Sequence, residues 1–289
     1  MTYEIALGDR AYSSWSMRGW LLFDHFGIPC KARHARLGSD AFTTLMRDFQ
    51  PARTVPAVRF PEVTIADSLA IAEELATRHP EAGLWPKAPA ARAIARSLAA
   101  EMHSGFVPLR RACTMNLRVS YSEFPIDETV TANLARLETI WAHARQACGG
   151  EGPWLCGGYS AADAFFAPVA ARIAGYNLAV STSAQAYVEA HLADPAFRRW
   201  RAMALVDGDD RLEYFHDNPR RDWPGAAALP ARAVEDGAPE NAVCPYSGDP
   251  VAHLMQYEGR IFGFCNGFCR DKTVADPEVW PEFVKLLGR

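Results

Sequence analysis

The order of local signals in the first eighty residues restricts the fold more than any other feature of the chain. "YEIALG" reads as a short buried strand. "SSWSMRGWLLFDHFGIP" follows, with serines suited to cap a helix, an apolar run, and Gly27 and Pro29 to stop it. "KARHARL" predicts a second strand, and "SDAFTTLMRDF" a short helix capped by Ser39. "VPAVRF" and "EVTIADS" predict two strands joined at Pro61, and "SLAIAEELATRH" a helix stopped by Pro80. The resulting order is βαβαββα.

After the Pro-rich connector "EAGLWPKAPAA" the apolar spacing becomes helical. "AARAIARSLAAEMHSGF" and "DETVTANLARLETIWAHARQA" predict helices, the second ending at Gly149-Gly150. "SAADAFFAPVAARIAG" opens with Ser160 and Asp163 at capping-box spacing, and "AQAYVEAHLADPAFRRWRAM" adds one or two more helices. Between Asn218 and Ala242 the chain holds Pro219, Pro224, Pro230 and Pro239, which reads as a linker. About fifty residues then remain, too few for a generous core, so a staple such as a metal is expected. The predicted fold class is α/β plus all-α: a βαβαββα domain at 1–80, a helical domain at 91–215, a linker at 216–240 and a small cysteine-containing α+β domain at 241–289.

A hydrophobic fraction of 49% with 22% charged residues is that of a globular protein and excludes a disordered one. Net charge of -4 argues against a general attraction to nucleic acid or anionic membrane. No stretch approaches the ~20 apolar residues of a membrane span. The N-terminus lacks the basic start and apolar run of a signal peptide, and Cys30, Cys113, Cys148 and Cys156 are scattered without pattern. A reducing cytoplasm is the expected location.

Four motifs in order resemble the cytosolic glutathione S-transferases, whose thioredoxin-like domain precedes a helical one. "YSSWSMRGWLL" resembles the serine-bearing turn into their first helix, most like the Ser-Ser-Cys-x-x-Arg run of the zeta class. "TVPAV" resembles the stretch with the family's cis-proline, "ADSLAI" the Glu-Ser-x-Ala-Ile helix start, and "SAAD" the capping box of the central C-terminal helix. The resemblance covers about residues 1–215. It implies glutathione as substrate, a small electrophile as second substrate, and a homodimer.

It also implies roles. A hydroxyl at a helix N-terminus, Ser13 first by alignment with the zeta run and Ser14 close behind, would donate to the glutathione sulfur and favour its thiolate, with Arg18 a turn further on adding positive potential. Pro56 would turn the main chain of Val55 toward the cysteinyl unit, and Asp67 with Ser68 would hold the γ-glutamyl end; Arg53 and Thr54 line the approach. The serines and Asp67 would also cap helices in any protein. Two departures stand out: Trp15 replaces the zeta cysteine, which puts maleylacetoacetate isomerisation in question, and Asp67 replaces the commoner glutamate. The electrophile site would draw on "EMHSGFVPLRRACTMNLR", where His103, Arg110, Arg111 and Arg118 either hold an anionic co-substrate or form a solvated helix face with a packed histidine.

The tail ends in "YEGRIFGFCNGFCRDKTVADPEVW". An aromatic strand leads to Cys265 at an expected helix start, with Cys269 four residues on and so on the same face if the helix continues. With Cys244 these resemble the YHS/TRASH family of small metal-binding domains over residues 241–285, implying a zinc or another soft ion such as Cu(I). Ser247 stands where a C-x2-C knuckle would have its second cysteine, so His253 or an open position is left to complete the site. Packing as small apolar residues and a disulfide are the alternatives. Two functions follow: a serine-type glutathione transferase with an appended metal module, or a non-catalytic protein of the same fold that handles or senses metal through its tail.

Overall fold

In the computed structural model, which describes residues 3–149 and 151–289, the expected order is present at the N-terminus. It comprises β1 (Tyr3–Leu7), α1 (Ser14–Asp24), β2 (Cys30–His34), α2 (Asp40–Asp48), β3 (Ala57–Arg59), β4 (Thr64–Ala66) and α3 (Ser68–Arg78). The strands form a sheet in the order β2-β1-β3-β4, with β1 and β2 parallel and the other pairs antiparallel. Ile5, Ala6 and Leu7 are buried because β1 is central and covered on both faces. Leu45, Met46 and Phe49 pack beneath Ala6, Ala35 and Ala57 on one side. Met17, Leu21 and Leu22 of α1 and Ile71 and Leu75 of α3 are likewise buried.

Gly19 in the middle of α1 costs about 1 kcal/mol of helix propensity against alanine. Packing explains it. A Cβ there would lie 2.5 Å from Pro56 Cβ and 3.2 Å from Ile5 Cδ1. Gly19→Ala should therefore destabilise the protein by about 1–3 kcal/mol despite its better propensity, because the proline ring cannot yield. Thermal denaturation checks this, and an unchanged or raised Tm would contradict it.

The chain continues through α4 (Pro89–Ser104), α5 (Val107–Ala112), β5 (Ser120–Tyr121), α6 (Glu128–Cys148), α7 (Ala161–Gly175), α8 (Thr182–Ala193) and α9 (Pro195–Val206). Gly149 closes α6 in the left-handed conformation at φ 60°; Gly150, the other half of the expected stop, lies outside the described residues. α7 is buried all round. The buried Asp163 carboxylate fixes its start by accepting from Ser160 N–H, Leu155 N–H and Tyr187 O–H. Among the described residues no helix is long and apolar enough to cross a membrane.

Two compact units emerge: residues up to Leu192 with Arg211–Pro224, and Ala193–Asp210 with Gly225–Arg289. The stretch 216–240, expected to be a linker, carries two strands. β6 (Arg220–Arg221) pairs with β5, and β7 (Ala231–Val234) pairs with β8 (His253–Tyr257). Prolines flank these strands rather than interrupt them, a position that tolerates the missing N–H.

The second unit adds β9 (Arg260–Phe264), α10 (Gly267–Ala275), a 3-10 turn (Pro277–Val279) and α11 (Pro281–Leu286) to β7 and β8. Its sheet is the meander β7-β8-β9. Glu258 and Gly259, at φ 50° and 77°, make the β8–β9 turn with the two left-handed residues that a tight hairpin favours. The tail, expected to hold too few residues for a generous core, packs with α9. Arg198 binds Asp276 through two bonds of 2.9 and 2.8 Å, and Arg199 Nη1 donates to Val279 O at 2.9 Å. Met255, Tyr257, Phe262, Phe264, Val279, Trp280 and Phe283 are buried.

Candidate functional site

Ser13 is the N-cap of α1 and is fully engaged. Its Oγ accepts from Ser16 N–H at 3.2 Å and donates to Ser16 Oγ at 2.9 Å, while Ser16 Oγ accepts from Gly8 N–H at 2.9 Å. This relay ties the end of β1 to the helix. Ser14 opens the helix itself, is buried, and its hydroxyl makes no hydrogen bond among the described residues. The resemblance puts Ser13 first and Ser14 close behind, but it is the Ser13 hydroxyl that is taken up by the cap and the Ser14 hydroxyl that is not.

At the start of α3, Asp67 adopts φ 81°, a strained conformation for a residue with a Cβ. Its Oδ1 accepts from Leu69 N–H at 2.8 Å and Ala70 N–H at 3.3 Å, and its Oδ2 lies 3.1 Å from His103 Nε2. Ser68 beside it is wholly buried, with no partner for its Oγ. The Val55–Pro56 bond is cis, as is Gln50–Pro51. Val55 packs its side chain on the Ala6–Phe49 cluster, and its main-chain N–H and C=O have no hydrogen-bond partner among the described residues. Arg53 lines a cavity of about 530 Å³ with Phe42, Met46, Arg47, Gln50 and Ala52.

Trp15, read in the sequence only as a departure, is a hub. The guanidiniums of Arg18 and Arg110 lie 4.6 and 4.8 Å from its ring centroid, and His103 meets it edge-on at 5.1 Å. Arg18 is 1% exposed, and its Nε and Nη1 have no hydrogen-bond partner. Burial, reinforced by Arg110 and Arg172, pushes its pKa down to about 9 against the pull of Asp67, so it remains a cation at neutral pH. Burial lowers Arg110 too, and lowers Arg172 to about 10. Arg172 is satisfied by Cys113 O at 2.8 Å and Pro168 O at 3.1 Å. Of the other arginines predicted here, Arg111 is exposed and Arg118 reaches Tyr12 instead, at 5.9 Å. The i, i+3 spacing of Trp15 and Arg18 was the available signal for this stack.

In the second unit the Sγ atoms of Cys244, Cys265 and Cys269 all lie within 4.8 Å of one another, with Cys265 and Cys269 at 3.9 Å. Zinc–sulfur bonds of about 2.3 Å in a tetrahedron place sulfurs about 3.8 Å apart, so the three fit one ion. Cys265 is not on the helix, as the spacing implied: Asn266 caps α10, and only Cys269 sits in its first turn. Burial would raise the Cys244 thiol, but N–H groups of Cys265, Tyr246 and Ser247 overcome it and hold the pKa down at about 7. Burial and the Cys244 charge push Cys269 up to about 12, opposed by Lys272. Ser247 Oγ and Asn266 Nδ2 each donate to Cys265 Sγ at 3.3 Å. Among the described residues no histidine nitrogen or carboxylate oxygen joins the three sulfurs at that distance, and His253 stands outside the group. Lys272 Nζ sits 3.5 and 3.8 Å from the ring centroids of Tyr246 and Trp280.

Residues 12–78 match the family model for the glutathione S-transferase, N-terminal domain. A maleylacetoacetate isomerase of Rattus norvegicus is 30% identical over 104 residues, 36% of this chain and 48% of that protein. One of Dictyostelium discoideum is 31% identical over 118 residues, 39% of this chain and 52% of its own. The chain thus spans about half the length of the curated relatives it matches. A glutathione transferase homolog from Burkholderia, solved with bound glutathione, matches 72% of this chain and all of its own at a TM-score of 0.52 and 22% identity. Glutathione transferase Omega 3C from Trametes versicolor matches 73% of this chain and 91% of its own at a TM-score of 0.53 and 19% identity. A thioredoxin-like N-terminal domain followed by a helical region gives this chain the glutathione S-transferase fold.

Proposed function

We propose that the protein is a serine-type glutathione transferase with a metal-binding module at its C-terminus. The observation that carries the first half is the Ser14 hydroxyl, unpartnered at the N-terminus of α1 with Arg18 one turn along the same face. Ser14 donates to the glutathione sulfur, and Arg18 supplies a buried positive charge that favours the thiolate. The Val55 main chain pairs with the cysteinyl unit, while Asp67 and Ser68 hold the γ-glutamyl end at the start of α3. With Trp15 in the turn no protein thiol joins the chemistry, which favours transfer over isomerisation. The reading extends to a cytoplasmic homodimer, as the resemblance implies.

The electrophile in this reading carries a carboxylate. Arg18, Arg110 and Arg172 are mutually repelling, and the acidic neighbour that offsets Arg18 is Asp67, already engaged by His103. Arg110 forms no ion pair among the described residues and is half-buried, the state of a guanidinium kept for an anion. Arg110→Gln should raise KM about tenfold for an electrophile bearing a carboxylate and leave it unchanged for a neutral analogue. Equal effects on both would remove this assignment. The proposal as a whole is tested on immobilised glutathione and by ultraviolet titration of the bound thiol. Retention with a thiol pKa well below that of free glutathione is expected; a folded protein that is not retained overturns it.

Cys244, Cys265 and Cys269 would hold zinc or another soft ion as thiolates. The same cluster favours a second reading, a non-catalytic metal-handling protein. Cys265→Ser separates the two: transferase turnover survives it in the first and there is none to lose in the second.

A further inference from the structure

We infer that the Cys244, Cys265 and Cys269 cluster is an exchange site, whose ion takes its fourth ligand, a small thiolate, from solution beside Ser247. This rests on the metal reading above and adds what that reading leaves open. Structural zinc sites are closed by four protein ligands, whereas sites that exchange or react keep a position for an outside ligand. Here the protein supplies three sulfurs, and no fourth histidine, cysteine or carboxylate stands with them among the described residues. Ser247 occupies the place a fourth cysteine would take, and its hydroxyl already donates to Cys265 Sγ at 3.3 Å. A hydroxyl spent as a donor to a ligand sulfur is a poor fourth donor to a soft ion.

Two further observations point the same way. Cys265 and Cys269 are only half-buried and Ser247 is exposed, so the cluster opens to water on that side while Cys244 closes it from within. The second unit also builds its own apolar core on α9, so its fold does not need an ion that never leaves. Soft ions already bound by thiolates prefer a further soft donor, and the Asn266 amide, which gives one N–H to Cys265 Sγ, has a second to donate to an incoming sulfur anion. The ligand class is therefore a low-molecular-weight thiol.

The test loads the full-length, reduced protein with cobalt(II) under anaerobic conditions and reads its thiolate charge-transfer and visible bands. Wild type should show the charge-transfer band, and 2-mercaptoethanol should shift the visible bands without loss of cobalt. Ser247→Cys, at an exposed position, should show the shifted spectrum with no added thiol, respond to none, and release its metal to a chelator at least about tenfold more slowly. A charge-transfer band whose visible spectrum ignores both added thiol and the substitution would overturn the exchange site while leaving the metal reading intact. No charge-transfer band in wild type would overturn both, and Cys265→Ser serves as the control that loses it.

Discussion

Ser14→Ala should lower kcat/KM for glutathione transfer about a hundredfold at neutral pH, while Ser13→Ala leaves the chemistry close to wild type. A hydrogen bond to a charged sulfur is worth about 2–3 kcal/mol, or about two pH units of thiol acidity. Losing it raises the pKa of the bound thiol, so the thiolate fraction at neutral pH falls in proportion. The sign fixes the pH profile. Activity of Ser14→Ala should climb with pH and approach wild type where the unassisted thiol ionises, because only the thiolate fraction has changed. Ser13 does other work: its Oγ caps α1 and feeds the Ser16 hydroxyl that receives Gly8 N–H. Ser13→Ala should therefore cost about 1 kcal/mol of stability and lower Tm with the thiol pKa unmoved. Titration of bound glutathione in both variants decides, and a shifted thiol in Ser13→Ala with none in Ser14→Ala would reverse the roles.

That distinction was beyond the sequence for a physical reason. Ser13 and Ser14 are neighbours of identical chemistry, and what separates them is the reach of Ser16 Oγ to Gly8 on the preceding strand. Elements bounded by local punctuation were legible. Gly27 and Pro29 stop α1, Pro80 stops α3, and Gly149 ends α6, so the βαβαββα order and the main helices could be read one after another. What depended on distant partners was not. Trp15 gains its place from Arg110 and His103, nearly a hundred residues away, and α9 joins the tail through Arg198 and Asp276, 78 residues apart in the chain. The three cysteines announced themselves by spacing, but the helix face that spacing suggested was wrong in detail. Cys265 precedes the cap of α10, and a bend in the chain, not a shared helical face, brings its sulfur to Cys269.

Phe283→Ala should unfold the second unit where chelating an ion bound at the proposed cysteine site does not. Phe283 is fully buried, with its ring 5.0 Å from Phe262, 5.9 Å from Tyr257 and 6.2 Å from Phe264. Truncating such a side chain costs about 3–5 kcal/mol through lost contacts and the cavity left behind. That is a large share of the about 5–15 kcal/mol a whole domain commonly has. Ligand binding stabilises only by the logarithm of its saturation, and an ion that exchanges with solution contributes the less for binding less tightly. Chelation should accordingly lower the thermal transition of this unit by a few degrees and leave its buried Trp200 and Trp280 in apolar surroundings. Phe283→Ala should expose both tryptophans and open the segment after Gly225 to proteolysis, with or without metal. The reverse pattern, collapse on chelation and tolerance of Phe283→Ala, would make the ion a staple. The recruited α9 would then be insufficient as a core, and the three-thiolate cluster would be a structural site after all.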